Sequence, residues 1–241
     1  MQSSLYVALS SQLSLARQLE AVAGNIANAS TAGHRADQVK FDTLLSHAGA
    51  DDVAFAGAVG TFISRTAGEM VKTDNPLDVA VQGDAWLAIE TATGRSYTRD
   101  GRMQLSAEGA LLTLTGARVL DSSGAGVQLA PNGGPIEIAR DGMISQAGRQ
   151  AGSLGLFTID PEARLARSSN SSVVPDLAAS AVVDFNKASL IQGHVERGNV
   201  NPVLEMTRLI AIQRSFEAVS GAMAANESTM QEALKSLGGS G

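Results

Sequence analysis

"NPVLEMTRLIAIQRSFEAVSGAMAANESTMQEALKSLGG" occupies residues 201–239. Leu209, Phe216, Met223, Met230 and Leu237 recur every seventh residue, and Ile212, Val219, Asn226 and Ala233 follow the first four at the next third position. Apolar side chains alternating three and four apart form a seam along one side of an α-helix, the pattern of a coiled coil. Asn201 is a suitable N-cap, Pro202 occupies the first helical position, and Gly238-Gly239 ends the pattern. A helix from Pro202 to Leu237 is about 54 Å long at 1.5 Å per residue. That length suits a coiled coil or a filament better than a compact domain. Asn226, the one polar residue in the seam, either fixes register or marks a point where the seam rotates.

The other end of the chain carries a second seam. Leu5, Ala8, Gln12, Leu15, Leu19, Val22, Ile26 and Ala29 alternate three and four apart, so a heptad pattern fits from about Ser3 to Ala29. Leu9 and Leu13 widen the apolar surface beyond a narrow seam, which implies more than one packing neighbour. This helix runs into "NIANASTAGHR", residues 25–35. Asn25 and Asn28 stand three apart, on one helical face, with Ala27 and Ala29 keeping the surface small. That composition suits close helix–helix contact with amide hydrogen bonds. Gly33 is available for the left-handed conformation that ends a helix.

Between the two seams the period changes. "DVAVQGDAWLAIET" from Asp78, "RSYTRDGRMQL", "GALLTL" and "ARVLDSSG" are short apolar or alternating runs. They are separated by Gly83-Asp84, Asp100-Gly101, Glu108-Gly109 and Ser123-Gly124, which predicts an antiparallel meander. "PIEIARDGMIS" (135–145) and "GSLGLFTID" (152–160) continue it. Residues 31–75 and 163–193 are less regular and read as extended connectors. The expected fold is α+β. Residues 1–75 hold an N-terminal helix and connector, 76–162 an inserted, mostly antiparallel β domain, and 163–241 a connector and C-terminal helix. The two terminal helices pair as a coiled-coil-like layer.

Composition narrows the function. Net charge is −6 and no basic patch appears, which argues against nucleic-acid binding. No cysteine is present, so disulfides, thiolate chemistry and cysteine-bound zinc are excluded. No 18-residue apolar run predicts a membrane span. The first 30 residues carry Arg17 and Glu20 and lack the apolar core of a cleaved secretion signal. Any route out of the cytoplasm is therefore expected to need no cleavable signal.

No catalytic constellation emerges. His34, His47 and His194 do not stand at metal-ligand spacing, and no G-x-S-x-G elbow occurs. "DSSGAG" (121–126) lacks the residues of a phosphate or calcium loop and reads as a hairpin turn. "YTRDGR" (97–102) reads as strand, Asp-Gly turn, strand. The chain is expected to be no enzyme and to need no cofactor or metal.

Four strings carry a resemblance. "NIANASTAGHRADQVKF" (25–41) resembles the N-terminal signature of bacterial flagellar rod and hook proteins. "GNVNPVLEMTRLIAIQRSFEA" (198–218) resembles their C-terminal signature, and "NPLDVAVQGDAWLAIET" with "SYTRDGRMQLSAEGALLT" resembles their β domain. The order is the family's and covers nearly the whole chain. One departure is Thr31-Ala32-Gly33-His34, where the family has Thr-Pro-Gly-aromatic; without proline the turn loses a fixed φ. Within the family the strings look most like a proximal-rod member, with the distal-rod member or another axial protein as the alternative.

The resemblance implies a structural subunit of the basal-body rod. Such subunits stack into a hollow drive shaft that crosses the periplasm and carries torque from motor to hook. Partners would be further copies, neighbouring rod proteins and the flagellar type III export apparatus. The implied assembly surface is the seam residues Leu5, Leu15, Leu19, Val22, Ile26, Leu209, Ile212, Phe216, Val219, Met223, Asn226, Met230 and Leu237, together with Asn25 and Asn28. A soluble enzyme would require a convergent polar pocket, and a secreted adhesin or binding module a cleavable signal.

Overall fold

The computed structural model describes residues 2–46 and 53–238; among these, the side chains of 2–6, 41–46, 53–59, 230, 233, 234, 236 and 237 are not described. The seam patterns become α1 (Gln2–Ala27) and α2 (Pro202–Gly238). Asn201 caps α2 as its position demands, its Oδ1 accepting from the amides of Val203 at 3.1 Å and Leu204 at 3.2 Å. The strands are β1 (Asp37–Ser46), β2 (Val53–Ile63), β3 (Met70–Lys72), β4 (Val79–Gln82), β5 (Trp86–Thr91) and β6 (Gly94–Thr98). Next come β7 (Met103–Leu105), β8 (Leu111–Thr113), β9 (Arg118–Val119), β10 (Ile136–Ile138), β11 (Met143–Gln146) and β12 (Arg149–Ser153). β13 (Leu156–Thr158), β14 (Leu165–Arg167), β15 (Ser172–Pro175), β16 (Ser180–Ala181), β17 (Ser189–Gln192) and β18 (His194–Glu196) complete the set.

The chain divides into two compact units. Unit 1 comprises residues 1–27, 37–62 and 201–241, and unit 2 comprises 28–36 and 63–200. In unit 1, α1 and α2 pack antiparallel. Gln12 Nε2 donates to Ser220 Oγ at 3.1 Å, and Asn25 near the end of α1 meets Glu205 near the start of α2. β1 pairs with β2 and packs against α1.

Unit 2 is built on β5. Its neighbours order the main sheet as β14-β15-β6-β5-β9-β8-β7, with β13 pairing both β5 and β16. Every pairing with a described register is antiparallel. Successive strand residues face opposite sides of a sheet, and β5 is buried on both. Leu87 and Ile89 join a core with Val79, Val81, Leu111, Ile144 and Leu190. Trp86 and Ala88 join a second core with Tyr97, Phe157, Ile159 and Val173. Tyr97 and Phe157 meet edge to face, ring centroids 5.6 Å apart.

Several expectations change. Residues 31–75 and 163–193 are not plain connectors: they supply β1, β2, β3 and β14–β17, and β18 follows directly. β17 pairs with β4 and β18 with β3, so strands beyond residue 162 close sheets begun before residue 83. Such long-range pairings leave no local signal beyond short alternation. "YTRDGR" holds the end of β6 and stops just before β7, but β6 pairs with β5 and β15 whereas β7 pairs with β8, so no hairpin forms there. α1 stops at Ala27, two residues short of the predicted seam. The "DSSGAG" turn holds, with Asp121 Oδ1 accepting from the Ser123 and Ala125 amides at 2.8 and 2.9 Å.

Candidate assembly surface and its polar junctions

Within unit 1 the seam is partly closed. Val22 and Ile212 are buried, while Leu15, Ile26, Leu209, Val219 and Met223 are half-buried. Leu19, Phe216 and Asn226 are exposed, so α1 does not cover the whole stripe of α2. Phe216 retains 41% of its surface in solvent. The side chains of Leu5, Met230 and Leu237 lie outside the described residues. A further row stays open: Val203, Met206 and Ile210 stand three and four apart on α2 at 74%, 51% and 52% exposure. Leu9 and Leu13 on α1 are also exposed, so the further packing neighbour expected for them is not supplied within the described residues.

Where α1, β1 and α2 meet, a cleft of about 450 Å³ opens, lined by Ala21, Val22, Val39, Glu205, Arg208 and Ile212 among others. Asn25 organises this corner. It is buried; its Nδ2 donates to the Asp37 carbonyl at 2.9 Å and lies 3.5 Å from Glu205 Oε2, and its Oδ1 accepts the Asp37 amide at 2.8 Å. Glu205 in turn pairs with Arg208 at 2.6 Å. The expected Asn25–Asn28 amide face does not form, because the helix ends between them. Asn28 Oδ1 instead accepts from Thr31 Oγ1 at 3.3 Å, within the turn that follows α1.

Residues 28–36 belong to unit 2, where a buried ionic cluster holds them. Glu196 Oε1 binds Arg35 Nη2 at 2.7 Å, and Glu196 Oε2 accepts from Arg99 Nε at 2.7 Å and Nη2 at 2.6 Å. Arg99 also donates to the carbonyls of Val81, Gly83 and Ala85, spending its fork on the β4–β5 connection. Both guanidinium groups lie beside Trp86, at 5.8 and 6.0 Å from the ring centroid. Burial pushes the Arg35 guanidinium down to about 10, against the pull of the Glu196 carboxylate, so it stays cationic at neutral pH. Gly33 has φ +67°, but not to end a helix: a Cβ there would stand 2.1 Å from the Asp100 amide nitrogen. The left-handed glycine thus lets the connector lie flat on the β6–β7 passage.

Asn199 forms a second junction in unit 2. Its Oδ1 accepts the Ala36 amide at 2.7 Å, its Nδ2 donates to Ser64 Oγ at 3.1 Å and the Thr66 carbonyl at 2.8 Å, and its own amide donates to the His34 carbonyl at 3.1 Å. Sequence reading passed over Asn199, Glu196, Glu205, Arg99 and Arg35 as functional residues. The available signal was three polar or charged residues inside quoted signature strings, "GHR", "TRDGR" and "GNVNP".

The histidines do not converge. His34 is buried with Nδ1 2.6 Å from the Asn170 carbonyl, His194 Nδ1 lies 3.0 Å from the Gln192 carbonyl, and His47 lies outside the described residues. Among the described residues no group of three or more acidic or histidine side chains is placed to hold a metal ion, and no helix is long and apolar enough to cross a membrane. The two long helices thus keep open apolar rows, and a buried asparagine joins one of them to β1.

Comparison with known proteins gives the family. Residues 5–35 match the family described as "Flagella basal body rod protein", 80–146 the "Flagellar hook protein FlgE/F/G D1 domain", and 191–236 the "Flagellar basal body rod FlgEFG protein C-terminal". The chain is 45% identical over 238 residues to the flagellar basal-body rod protein FlgF of Mesorhizobium japonicum, covering 99% of each chain. It is 41% identical over 240 residues to FlgF of Rhizobium meliloti, covering all of each, and 27% identical over 256 residues to the rod protein FlgG of Bacillus subtilis. The chain therefore belongs to the flagellar basal-body rod protein family. It is a structural subunit of the flagellar basal body and not an enzyme.

Proposed function

We propose that the chain is a FlgF-type subunit of the proximal rod, and that it polymerises through its terminal helices. The observation that carries this reading is the open apolar surface of α2: Val203, Met206, Ile210 and Phe216 stay exposed although α1 is packed against the same helix. Fully burying an exposed side chain of this kind contributes about 1.5–3 kcal/mol, and the still-exposed part of each supplies a share of that. Neighbouring copies meeting head to tail would cover these rows and extend a helical tube. The helices then form a coiled-coil-like inner layer of a hollow shaft, with the seam residues named above as contacts. The shaft crosses the periplasm and passes torque to the hook. Its subunits reach it through the flagellar type III export apparatus. The FlgF assignment is supported by 45% and 41% identity to FlgF proteins against 27% to a FlgG protein.

The test is a deletion strain complemented with Leu209→Asp or Phe216→Asp. Both variants are expected to abolish rod assembly and swimming while the purified chain keeps its β-unit unfolding transition. Normal swimming by both would show that this seam is not the assembly surface. The stage at which the deletion strain stops building, before or after the proximal rod, separates the FlgF from the FlgG reading.

A further inference from the structure

The chain crosses between its two units after residues 27, 36, 62 and 200. In unit 2, the residues beside all four crossings lie together. Asn199 binds Ala36, Ser64 and Thr66, next to the second and third crossings, and itself stands beside the fourth. The Ser64 amide donates to the Ala36 carbonyl at 2.8 Å, joining the same two passages directly. Gly198 closes on the first: a Cβ there would stand 3.1 Å from the Thr31 carbonyl oxygen, 3.3 Å from that of Ala29 and 3.5 Å from that of Asn28.

We infer that Asn199 is a positioning residue for assembly, one that fixes the points at which β1, β2 and α2 leave unit 2. The chemistry favours a carboxamide of this length. One oxygen accepts a backbone N–H, and one NH₂ supplies donors for both a hydroxyl and a carbonyl. Aspartate keeps the acceptor but sets a carboxylate oxygen against the Thr66 carbonyl; alanine removes everything. Without the carboxamide, the passages keep only the Ser64–Ala36 and Asn199–His34 backbone bonds and the exits are held more loosely, while the cores around β5 stay intact because Asn199 contributes no side chain to either core. A subunit whose α2 starts from an unfixed point cannot present it at the spacing a helical tube repeats. This inference rests on the rod-subunit reading.

The experiment uses the full chain. Asn199→Ala and Asn199→Asp are followed by hydrogen exchange on the purified protein and by complementation of the deletion strain. The Ala36 amide is expected to exchange about tenfold faster, the loss of roughly one hydrogen bond. Amides of β5 and β6 should keep their protection, and swimming should be lost. Ser64→Ala, which removes only one partner, should give a smaller change at the same amides. Unchanged Ala36 exchange, loss of protection throughout β5 and β6, or normal swimming by both Asn199 variants would each overturn the inference. A deletion strain that still swims would instead overturn the rod reading, and the exchange result alone would then decide what Asn199 holds.

Discussion

At the residue scale, a chain that reads as bland and acidic hides two buried arginines. Arg35 and Arg99 share Glu196, and all three are nearly solvent-free. A buried ion pair adds little net stability over a well-packed apolar replacement, but removing one partner leaves an uncompensated charge. Glu196→Gln is therefore expected to destabilise unit 2 by about 3–5 kcal/mol. Trp86, the single tryptophan, lies beside both guanidinium groups, so its fluorescence in a urea titration reads the change directly. Gly33→Ala should lower the same midpoint for a different reason. The new Cβ meets the Asp100 backbone at a positive φ, and the connector is held there by the Gly33 amide, which donates to the Glu196 carbonyl at 2.8 Å.

At the element scale, α2 is a helix whose start is well specified and whose far end runs past the described end of α1. Asn201→Ala deletes the acceptor for the Val203 and Leu204 amides and should cost about 1 kcal/mol of helix stability. Circular dichroism during thermal unfolding would register it. The contacts Asn25–Glu205 and Gln12–Ser220 set an antiparallel register in which the first residues of α1 lie opposite the stretch near residue 229 of α2. Amide protection along α2 in the isolated chain is thus expected to be greatest over 205–223 and to fall beyond 229. Uniform protection to residue 238 would contradict this register. The same register explains why the seven-residue repeat exceeded what α1 can cover: the pattern runs four heptads, and the partner helix is eleven residues shorter.

At the scale of the whole molecule, the helices were legible because their signal is local and repetitive: a period of 3.5, a capping asparagine, a proline and closing glycines. Most central strands from 79 to 158 were legible for the same reason, each a short run between turn residues; β12 was not, because Arg149–Ser153 falls largely between the apolar runs 135–145 and 152–160. Strands β14–β18 were not, since they are weak as local patterns and gain their place by pairing with strands up to about 120 residues earlier. The candidate surface was partly legible. Val22, Asn25 and Ile212 do lie where α1 and α2 meet, but Asn25 secures β1 and faces Glu205, and does not join Asn28.

The sequence by itself determined that two long apolar-striped helices flank a β-rich middle, and that no catalytic set is spelled out at local spacing. Periodicity and turn chemistry act between near neighbours, so they can be read from the string. Only the tertiary structure decided that residues 28–36 belong with the β unit, that Glu196 gathers two arginines, and that Asn199 ties together chain passages more than 130 residues apart. Those contacts are single polar groups that find partners only once the sheets have closed, and burial is what makes the partners obligatory.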